Sequence, residues 1–461
     1  MLDLTGKHVA VLGLGLSGCA AARLCLSRGA GVTAFDAKPW DALTDDARRL
    51  KASGVRILAG GPPAAALKHV DLVIISPGFP SFPELEASGL RILGEVELAA
   101  QMLPASIPIV AVGGTNGKST TTALIGAIFD DQRLRPFVGG NFGEPLSDYV
   151  DRPFDVVVLE VSSFQMERVE TFKPKVSILL NVTPDHLDRY PTFEDYAHTK
   201  GNAFLRQKAD DLAVIPHRDE ICWHEARRGD GQVRTFGPGG DVDVTPKAII
   251  DRTIGQVYSR NEIALVGSHN AMNIAAAIAA VRPFGIPAQT IRDTLAHFRG
   301  LPHRTAFVMD IGGVRFYDDS KGTNVGASVT ALRGLPEPKV VLIAGGRDKG
   351  GSYEPLVSVL RSRGAGMVLL GEAADAIARA VGDAVPVHRI ANPEMGLAQS
   401  DPAGDLSKTM DAVVHAAFDL AKPGDAVLLS PACSSLDMFR DYKHRGDAFV
   451  LAVQRLAKER P

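Results

Sequence analysis

The sequence predicts an α/β protein with three domains, each a parallel sheet covered by helices. At 461 residues the chain is too long for one ordinary core, and roughly two to four domains are expected. Apolar runs alternate with helix-compatible stretches, which is typical of βαβ units and predicts parallel sheets throughout. Glycine-rich turns also follow apolar runs in each third of the chain. We expect an N-terminal Rossmann-like domain at 1–93, a central P-loop-type mononucleotide-binding domain at 94–301 and a C-terminal Rossmann-like domain at 302–461.

The bulk composition excludes several classes of partner. The chain is 45% hydrophobic and 22% charged, which is a globular balance. A formal net charge of -3 gives no basic field for nucleic acid, and no apolar run approaches the length of a membrane span. The four cysteines are scattered without metal-ligand spacing, as is typical of reduced thiols, so we expect a cytoplasmic protein.

The first unit contains a GxGxxG turn, Gly13-Leu-Gly-Leu-Ser-Gly18, between an apolar strand and a helix at Cys19 to Arg28. A second strand ends in Asp36, at the separation at which an acid usually binds a ribose hydroxyl. By itself this pattern predicts a dinucleotide site. A glycine turn that only packs helix on sheet is the alternative.

The second unit contains the strongest chemical signal, a phosphate-binding loop. An apolar strand, Ile107 to Val112, leads into Gly114-Thr-Asn-Gly-Lys-Ser-Thr120, where a helix begins. Glycines let the backbone approach phosphates, and N–H groups at the helix N-terminus point at the anion. Lys118 can reach the outer phosphates, and the Ser119 or Thr120 hydroxyl can bind Mg²⁺. An ordinary glycine-rich turn with a surface lysine is the alternative, but Lys-Ser-Thr at the helix start favours the phosphate loop.

Two further strand ends in this unit carry polar groups suited to a metal. The apolar strand Asp155 to Glu160 ends in a carboxylate that can hold a metal opposite the loop, or can cap the next helix. His186 stands beside acids after another strand and is a candidate metal ligand or orienting group. Lys200 follows in a helix-compatible stretch, where an exposed lysine is the default.

Later parts of the chain add candidates of lower specificity. Asn270 and Asn273 lie three apart on one face of an Ala-rich helix. Gly300-Leu-Pro-His-Arg304 is typical of a hinge with a cation attached. Residues 216–262 contain short β-like pieces and no recognisable chemistry.

Taken in order, these motifs resemble those of the Mur ligases, the ATP-dependent family that adds amino acids to the UDP-linked peptidoglycan precursor. The resemblance covers nearly the whole chain. Its motifs are Gly114-Thr-Asn-Gly-Lys-Ser-Thr120, Glu160-Val-Ser-Ser163, Asn181-Val-Thr-Pro-Asp-His186, His269-Asn-Ala-Met-Asn273, Leu301-Pro-His-Arg304 and Asp319-Ser-Lys-Gly-Thr-Asn324. Three others, Gly13 to Gly18, Ser76-Pro-Gly78 and Ser430 to Asp437, most resemble the branch that joins D-glutamate to UDP-N-acetylmuramoyl-L-alanine.

The resemblance implies that the N-terminal glycine turn holds the uridine diphosphate of the substrate instead of a dinucleotide. The matching substrate contacts are Leu16, Ser17, Asp36, Gly78, Asn141 and His186. The matching D-glutamate contacts are Thr323, Lys349, Ser435, Leu436 and Tyr442. The matching ATP contacts outside the phosphate loop (Gly114, Thr115, Asn116, Gly117, Lys118, Ser119, Thr120) are Asn270, Asn273, Arg304 and Asp319.

The resemblance also implies a two-step reaction in peptidoglycan precursor synthesis. ATP phosphorylates the L-alanyl carboxylate, and the amine of D-glutamate then attacks the acyl phosphate. Lys118 and two Mg²⁺ ions supply positive charge where anions meet. Lys200 matches a lysine carbamylated by CO₂, and a carbamate is an anion able to bind metal. The implied catalytic and metal-binding residues are Lys118, Ser119, Thr120, Glu160, His186 and Lys200.

Other functions remain open from the residues alone. Another Mur-type or a folylpolyglutamate-type ligase shares the central motifs. A nicotinamide-dependent dehydrogenase accounts for Gly13 to Asp36 but leaves Lys118 and Glu160 unexplained. A P-loop protein that uses ATP for conformational signalling predicts slow ATP turnover that is indifferent to any amino acid. For the ligase, we expect a monomer.

Overall fold

The computed structural model describes residues 2–186, 189–348, 350, 352–390 and 402–460, the side chains of 402–405 excepted. Within these residues the strands form three sheets, so the three-domain α/β architecture is confirmed. The chain divides into two compact units, Met1–Ala264 with Ala271–Phe298, and Leu265–Asn270 with Arg299–Pro461. The boundaries at residues 93 and 301 stay a prediction. Among the described helices, none has the length and apolar character needed to cross a bilayer.

The N-terminal sheet is parallel and has the order β3-β2-β1-β4-β5. Its strands are β1 (His8–Leu12), β2 (Gly31–Asp36), β3 (Arg56–Ala59), β4 (Leu72–Ile75) and β5 (Arg91–Gly94), and its helices are α1 (Leu16–Ser27), α2 (Asp45–Ala52), α3 (Pro83–Glu86) and α4 (Glu95–Met102). Strand order reverses at β1, and ligands of open parallel sheets bind at the carboxyl ends of the strands beside such a reversal. The GxGxxG turn after β1 and the loop after β4 both lie at this edge.

The central sheet belongs to the same compact unit and has the order β14-β13-β12-β11-β10-β9-β6-β8-β7. Its strands are β6 (Ile109–Gly113), β7 (Pro136–Gly140), β8 (Val156–Glu160), β9 (Val176–Leu179), β10 (Leu212–Pro216), β11 (Gln232–Phe236), β12 (Val242–Val244), β13 (Ala248–Asp251) and β14 (Gln256–Ser259). The helices are α5 (Lys118–Asp131), α6 (Ser163–Met166), α7 (Phe193–Gly201), α8 (Glu220–Ala226), α9 (Ser268–Val281) and α10 (Ala288–His297). Because β6 lies between β8 and β9, the segments after those two strands flank the phosphate loop.

The prediction of parallel sheets throughout is wrong in two places. The pairs β12–β13 and β13–β14 are antiparallel, as are β15 (Ala306–Ile311) and β16 (Val314–Asp318). The connections, residues 245–247, 252–255 and 312–313, are too short for a parallel crossover, which needs about a dozen residues. Gly312 and Gly313 have φ of +58° and +82°, as a tight hairpin turn requires.

The C-terminal sheet has the order β15-β16-β20-β17-β18-β19 and is parallel apart from β15. Its other elements are β17 (Val340–Gly345), β18 (Gly364–Leu370), β19 (Val387–Arg389), β20 (Ala426–Leu429), α11 (Val325–Gly334), α12 (Glu354–Arg363), α13 (Ala374–Val381), α14 (Pro402–Leu420) and α15 (Tyr442–Glu459). One apolar core packs α11 to α13 on one face of the sheet, and another packs α14 and α15 on the opposite face. Because β16 and β20 are neighbouring parallel strands, the loops that follow them meet at one edge of the sheet.

Candidate active site

The loop between β6 and α5 takes a conformation that requires glycine. Gly114 and Gly117 have φ of +136° and +86°, which residues with a Cβ rarely adopt. A Cβ on Gly117 would lie 2.3 Å from Oδ1 of Asn273, so any side chain there would require Asn273 or the loop to move. α5 begins at Lys118, directly after a glycine that has no side chain to cap it. This arrangement is typical of helix N-termini that bind phosphate.

Two side chains that are not among the predicted site residues, those of Asn181 and Tyr196, hold this loop. Oδ1 of Asn181 accepts the N–H of Asn116 at 2.9 Å, and its Nδ2 donates to the carbonyl of the same residue at 3.0 Å. Oγ1 of Thr115 lies 3.1 Å from the hydroxyl of Tyr196 on α7. Asn181 follows β9, which pairs with β6, so strand order delivers it to the loop. An amide directly after a strand beside the loop was the signal in the sequence.

Glu160 at the end of β8 is held by side chains from two other segments. Oγ of Ser119 donates to its Oε2, and Nδ2 of Asn141 donates to its Oε1 at 2.7 Å. Glu160 and Ser119 are both buried, as is Thr120. The β6–β8 register places Val112 beside Glu160, which brings the carboxylate to the loop. The structure thus places the predicted acid, Glu160, in a hydrogen bond with the predicted hydroxyl of Ser119, and Asn141 donates to the same carboxylate.

Two lysines contact the loop, Lys118 at the start of α5 and Lys200 on α7. Nζ of Lys118 donates to the carbonyl of Thr115 at 2.8 Å, and Nζ of Lys200 donates to the carbonyl of Gly114 at 3.0 Å. Lys200 is only 5% exposed, in contrast to the default for a helical lysine, and its ammonium lies 4.5 Å from the centre of the Tyr196 ring. Burial, reinforced by the Lys118 ammonium, holds the pKa of the Lys200 amine well below its usual range.

His186 lies in the segment after β9, in the left-handed region at φ +54°. Its Nε2 is 3.7 Å from Oδ2 of Asp185, and its ring centre is 4.8 Å from that of Phe164 and 6.3 Å from that of Tyr196. Tyr196 also contacts Lys200 and the loop, so His186 belongs to the same cluster. Its side chain is 37% exposed and accessible to a ligand.

The oxygen atoms near the loop fit a magnesium ion. Within the described part of the chain, no three His, Cys, Asp or Glu side chains form a metal site by themselves. Mg²⁺ usually takes one or two carboxylates together with phosphate oxygens and water. The adjoining oxygens of Ser119 and Glu160 are ligands of that kind, and their hydrogen bond already brings them together.

The N-terminal turn is organised by Asp36. Its Oδ2 accepts the N–H of Leu14 at 2.8 Å, and its Oδ1 accepts the N–H of Lys38 at 2.9 Å. The acid at the end of β2 therefore shapes the glycine turn in addition to any contact with a ligand. Leu16 is 68% exposed at the start of α1, although it is apolar. Ser17 follows it, and Gly78 is exposed in the loop after β4.

The candidate nucleotide contacts on α9 are buried. Asn270 and Asn273 are 7% and 6% exposed, and Nδ2 of Asn270 donates to the carbonyl of Val266 at 2.7 Å. Their spacing of three residues along α9 places them on one side of the helix, as predicted.

In the second unit, Asp319 is enclosed beside Arg304. Oδ1 of Asp319 accepts the N–H of Thr305 at 3.1 Å, and its Oδ2 accepts the hydroxyl of Ser430 at 2.6 Å. Burial raises the pKa of Asp319 to about 7, against the hydrogen bond from Ser430 and the charge of Arg304.

The candidate amino-acid contacts lie in the loops after β16 and β20 and at the start of α15. Ser435 is buried, whereas Leu436 is 59% exposed. Thr323 is half-buried in the loop after β16, and Tyr442 begins α15 with its ring 4.2 Å from the ammonium of Lys321. Lys349 lies outside the described residues.

The motifs missed one residue that joins these loops, Arg445 on α15, which is 1% exposed. Its Nε and one terminal nitrogen donate to Oγ and the carbonyl of Ser320 at 3.1 and 2.9 Å, and both terminal nitrogens lie 3.4 Å from the carbonyl of Cys433. Burial lowers the pKa of Arg445 to about 10. No local pattern marks an arginine in a helix as buried.

Comparison with known families matches all three parts of the chain. A model described as "Mur ligase MurD-like, N-terminal domain" matches residues 7–92, "Mur ligase middle domain" matches 112–281, and "Mur ligase, glutamate ligase domain" matches 303–433. The chain belongs to the Mur ligase family, whose members are ATP-dependent, ADP-forming ligases that use Mg²⁺.

Within that family, full-length relatives named UDP-N-acetylmuramoylalanine–D-glutamate ligase are similar to this chain. The protein of Anaeromyxobacter dehalogenans is 42% identical, over 99% of this chain and 98% of its own length. The protein of Trichlorobacter lovleyi is 38% identical, over 99% of this chain and all of its own length.

Solved structures of more distant relatives share the fold. A pseudomurein peptide ligase type C of Methanothermus fervidus has a TM-score of 0.62 at 17% identity, covering 98% of this chain and all of its own. The UDP-N-acetylmuramate-alanine ligase of Thermotoga maritima has a TM-score of 0.60 at 19% identity, with the same coverage. At these identities the likeness supports the architecture alone.

Proposed function

We propose that this protein is the ATP-dependent ligase that joins D-glutamate to UDP-N-acetylmuramoyl-L-alanine in peptidoglycan precursor synthesis. The observation that carries the proposal is the full-length similarity to relatives of that name, together with a loop cluster suited to its chemistry. Its substrates are small molecules. We expect the enzyme to act as a monomer in the cytoplasm.

The loop cluster can bring two anions together, which is what the first step requires. The substrate carboxylate must attack the γ-phosphate of ATP, and both groups carry negative charge. Lys118 at the start of α5 places an ammonium at the phosphate loop, and the loop itself has the left-handed glycines of a phosphate cradle. The carboxylate oxygen displaces ADP from the γ-phosphorus and forms an acyl phosphate.

Ser119, Thr120 and Glu160 would supply oxygen ligands to one Mg²⁺ ion, and the imidazole nitrogen of His186 would bind a second. When bound, Mg²⁺ neutralises charge that develops on the phosphate oxygens. Asn141 holds Oε1 of Glu160 and so fixes the direction of the carboxylate. His186 and Asn141 are also the residues we assign to the sugar and peptide part of the substrate.

We assign a carbamate to Lys200. Burial favours the neutral amine, and a neutral amine nitrogen can attack the carbon of CO₂, forming an N–C bond and releasing one proton. The product is an anion beside the loop, so an uncharged buried amine becomes a group that could bind a metal ion. Its negative charge also lies near the Lys118 ammonium, which favours it.

The second step needs D-glutamate with its amine free. We assign its carboxylates to Lys349, Thr323 and Ser435, with Leu436 and Tyr442 enclosing the side chain. The neutral amine nitrogen attacks the acyl carbon, and the tetrahedral intermediate releases inorganic phosphate and one proton from that nitrogen to give the amide. We assign Asn270, Asn273, Arg304 and Asp319 to ATP, and Leu16, Ser17, Asp36 and Gly78 to the uridine diphosphate.

The deciding experiment is phosphate release with ATP, Mg²⁺, UDP-N-acetylmuramoyl-L-alanine and a panel of amino acids. We expect a signal with D-glutamate and none with L-glutamate, L-alanine or diaminopimelate. A signal with another amino acid would assign a different ligase, and phosphate release indifferent to amino acids would assign an ATP-driven switch.

The dehydrogenase alternative is tested by NADH binding, followed by NADH fluorescence, and we expect no binding. Lys349→Ala should raise the KM for D-glutamate and leave ATP binding unchanged.

A further inference from the structure

An ion pair lies next in sequence to Arg304 and Asp319, two of the residues that we assign to ATP. Nδ1 of His303 is 2.6 Å from Oδ2 of Asp318, and the two side chains are only 11% and 2% exposed. Because a carboxylate accepts hydrogen bonds, the imidazole donates from Nδ1. Its Nε2 is 3.5 Å from Oδ1 of Asp447, which is largely exposed.

Each member of this pair immediately precedes an assigned nucleotide contact. Arg304 follows His303, and Asp319 follows Asp318. The chain segments that contain His303 and Asp318 are joined again one residue further along. There, Oδ1 of Asp319 accepts both the N–H and the hydroxyl of Thr305. The ion pair and these hydrogen bonds hold the two segments that carry Arg304 and Asp319 side by side.

The backbone around Arg304 is strained, and the surrounding structure is shaped to hold it. His303 and Thr305 have φ of +61° and +50°, although neither is glycine. Such conformations persist only where neighbouring contacts maintain them, and they cluster at functional sites. On α15, a Cβ at Gly446 would lie 2.2 Å from Nδ1 of His303, so the helix carries a glycine where the imidazole packs.

We propose that His303 and Asp318 form a positioning pair that sets Arg304 and Asp319 for nucleotide binding. The inference rests on the proposed function only in taking those two residues as ATP contacts. Neither His303 nor Asp318 needs to touch the nucleotide. The pair acts by fixing the two backbone segments, in the way that buried charged groups fix the orientation of the residues next to them.

The charges that face His303 give the pair a pH signature. The hydrogen bond with Asp318 raises the pKa of the imidazole, Asp447 raises it further, and burial and Lys443 oppose them. The ring of Tyr442 packs edge-on and brings no charge. The ionic part of the pair is therefore complete below the ordinary histidine pKa and is lost as pH rises through the raised value. Neutral imidazole keeps the hydrogen bond, so positioning weakens and does not disappear.

The test measures binding of a fluorescent methylanthraniloyl derivative of ATP to the full-length protein, with neither UDP substrate nor amino acid present. We expect His303→Ala to weaken binding by about tenfold or more, since it leaves a buried carboxylate without its partner. His303→Asn places an amide nitrogen near the position of Nδ1. It should bind within about threefold of the wild type and lose the pH dependence of binding. Asp447→Asn is the matched control and should change affinity by less than about twofold, because Asp447 is exposed.

Binding of UDP-N-acetylmuramoyl-L-alanine to the first unit, and a thermal melt, report on folding. Unchanged nucleotide affinity in His303→Ala would overturn the proposal. An equal loss of nucleotide affinity in His303→Asn, which keeps the hydrogen bond, would also overturn it. An equal loss of UDP-substrate affinity in His303→Ala would overturn it as well. If His303→Ala does not fold, His303→Asn decides by its pH profile: near-wild-type affinity without pH dependence supports the proposal, and a retained pH dependence overturns it. A failed D-glutamate assay would refute the proposed function and leave this binding result intact.

Discussion

Replacing Gly117 with alanine tests whether the close approach of the phosphate loop to α9 determines nucleotide binding. Gly117 has φ +86°, and an added Cβ costs about 1–2 kcal/mol in the left-handed region. That Cβ would also lie 2.3 Å from Oδ1 of Asn273 and 3.2 Å from Cδ1 of Leu180. Moving buried neighbours to accept it costs about 1–3 kcal/mol more. We expect Gly117→Ala to lower the free energy of unfolding by about 2–5 kcal/mol.

Gly255 provides the matched control. It also has a positive φ, +67°, but a Cβ there would find nothing within 4 Å. Gly255→Ala should therefore lose only the backbone cost of about 1–2 kcal/mol and retain the wild-type KM for ATP. Gly117→Ala should in addition raise the KM for ATP, because the loop or Asn273 must move.

Urea unfolding followed by tryptophan fluorescence measures both variants in the same compact unit, which contains Trp40 and Trp223. The reasoning is refuted if the two variants lose equal stability and bind ATP equally well. In that event the left-handed backbone alone would account for the glycine at 117, and its distance from Asn273 would have no consequence.

Lys118, Lys200 and Asp319 each give one further prediction. Lys118→Ala should lower kcat/KM by about 100- to 1,000-fold, corresponding to roughly 3–4 kcal/mol for one preorganised charge donor, and near-normal turnover would contradict the phosphate-loop assignment. Lys200 should make activity depend on CO₂: phosphate release should fall in CO₂-free buffer and recover with bicarbonate, whereas Lys200→Arg should be inactive in both. The pKa of Asp319 is raised from 3.8 to about 7, so the folded state retains a proton that the unfolded state releases. Stability from this group is therefore lost as pH rises between those values. Asp319→Asn should remove that slope from a plot of Tm against pH, and an unchanged slope would contradict the assignment of the raised pKa.

Local patterns predicted the elements that we propose for the chemistry, because those patterns are confined to a few neighbouring residues. The loop at Gly114 to Thr120 is marked by its glycines and by the lysine and hydroxyls that open the next helix. Glu160 ends an apolar strand, and the strand order places it beside that loop. These inferences needed only the alternation of strands and helices and the rule that parallel strands present their carboxyl ends at one edge.

Local sequence patterns did not predict contacts between residues that lie far apart along the chain. Lys200 lies 86 residues from Gly114, and its helix alone favoured an exposed side chain, yet it is buried against the loop carbonyl. Arg445 reaches Ser320 across 125 residues. In both cases burial depends on which elements pack together, and side-chain type gives no measure of that.

The sequence by itself determined the α/β class, the phosphate loop, the glycine turn after β1 and the family resemblance, because each depends on residue type at short spacing. Only the tertiary structure decided that Asn181 and Tyr196 clamp the loop, that Asn141 and Ser119 share Glu160, and that His303 pairs with Asp318. Strand order and helix packing bring these residues together. Both depend on how the whole core packs, which residues at short spacing do not show.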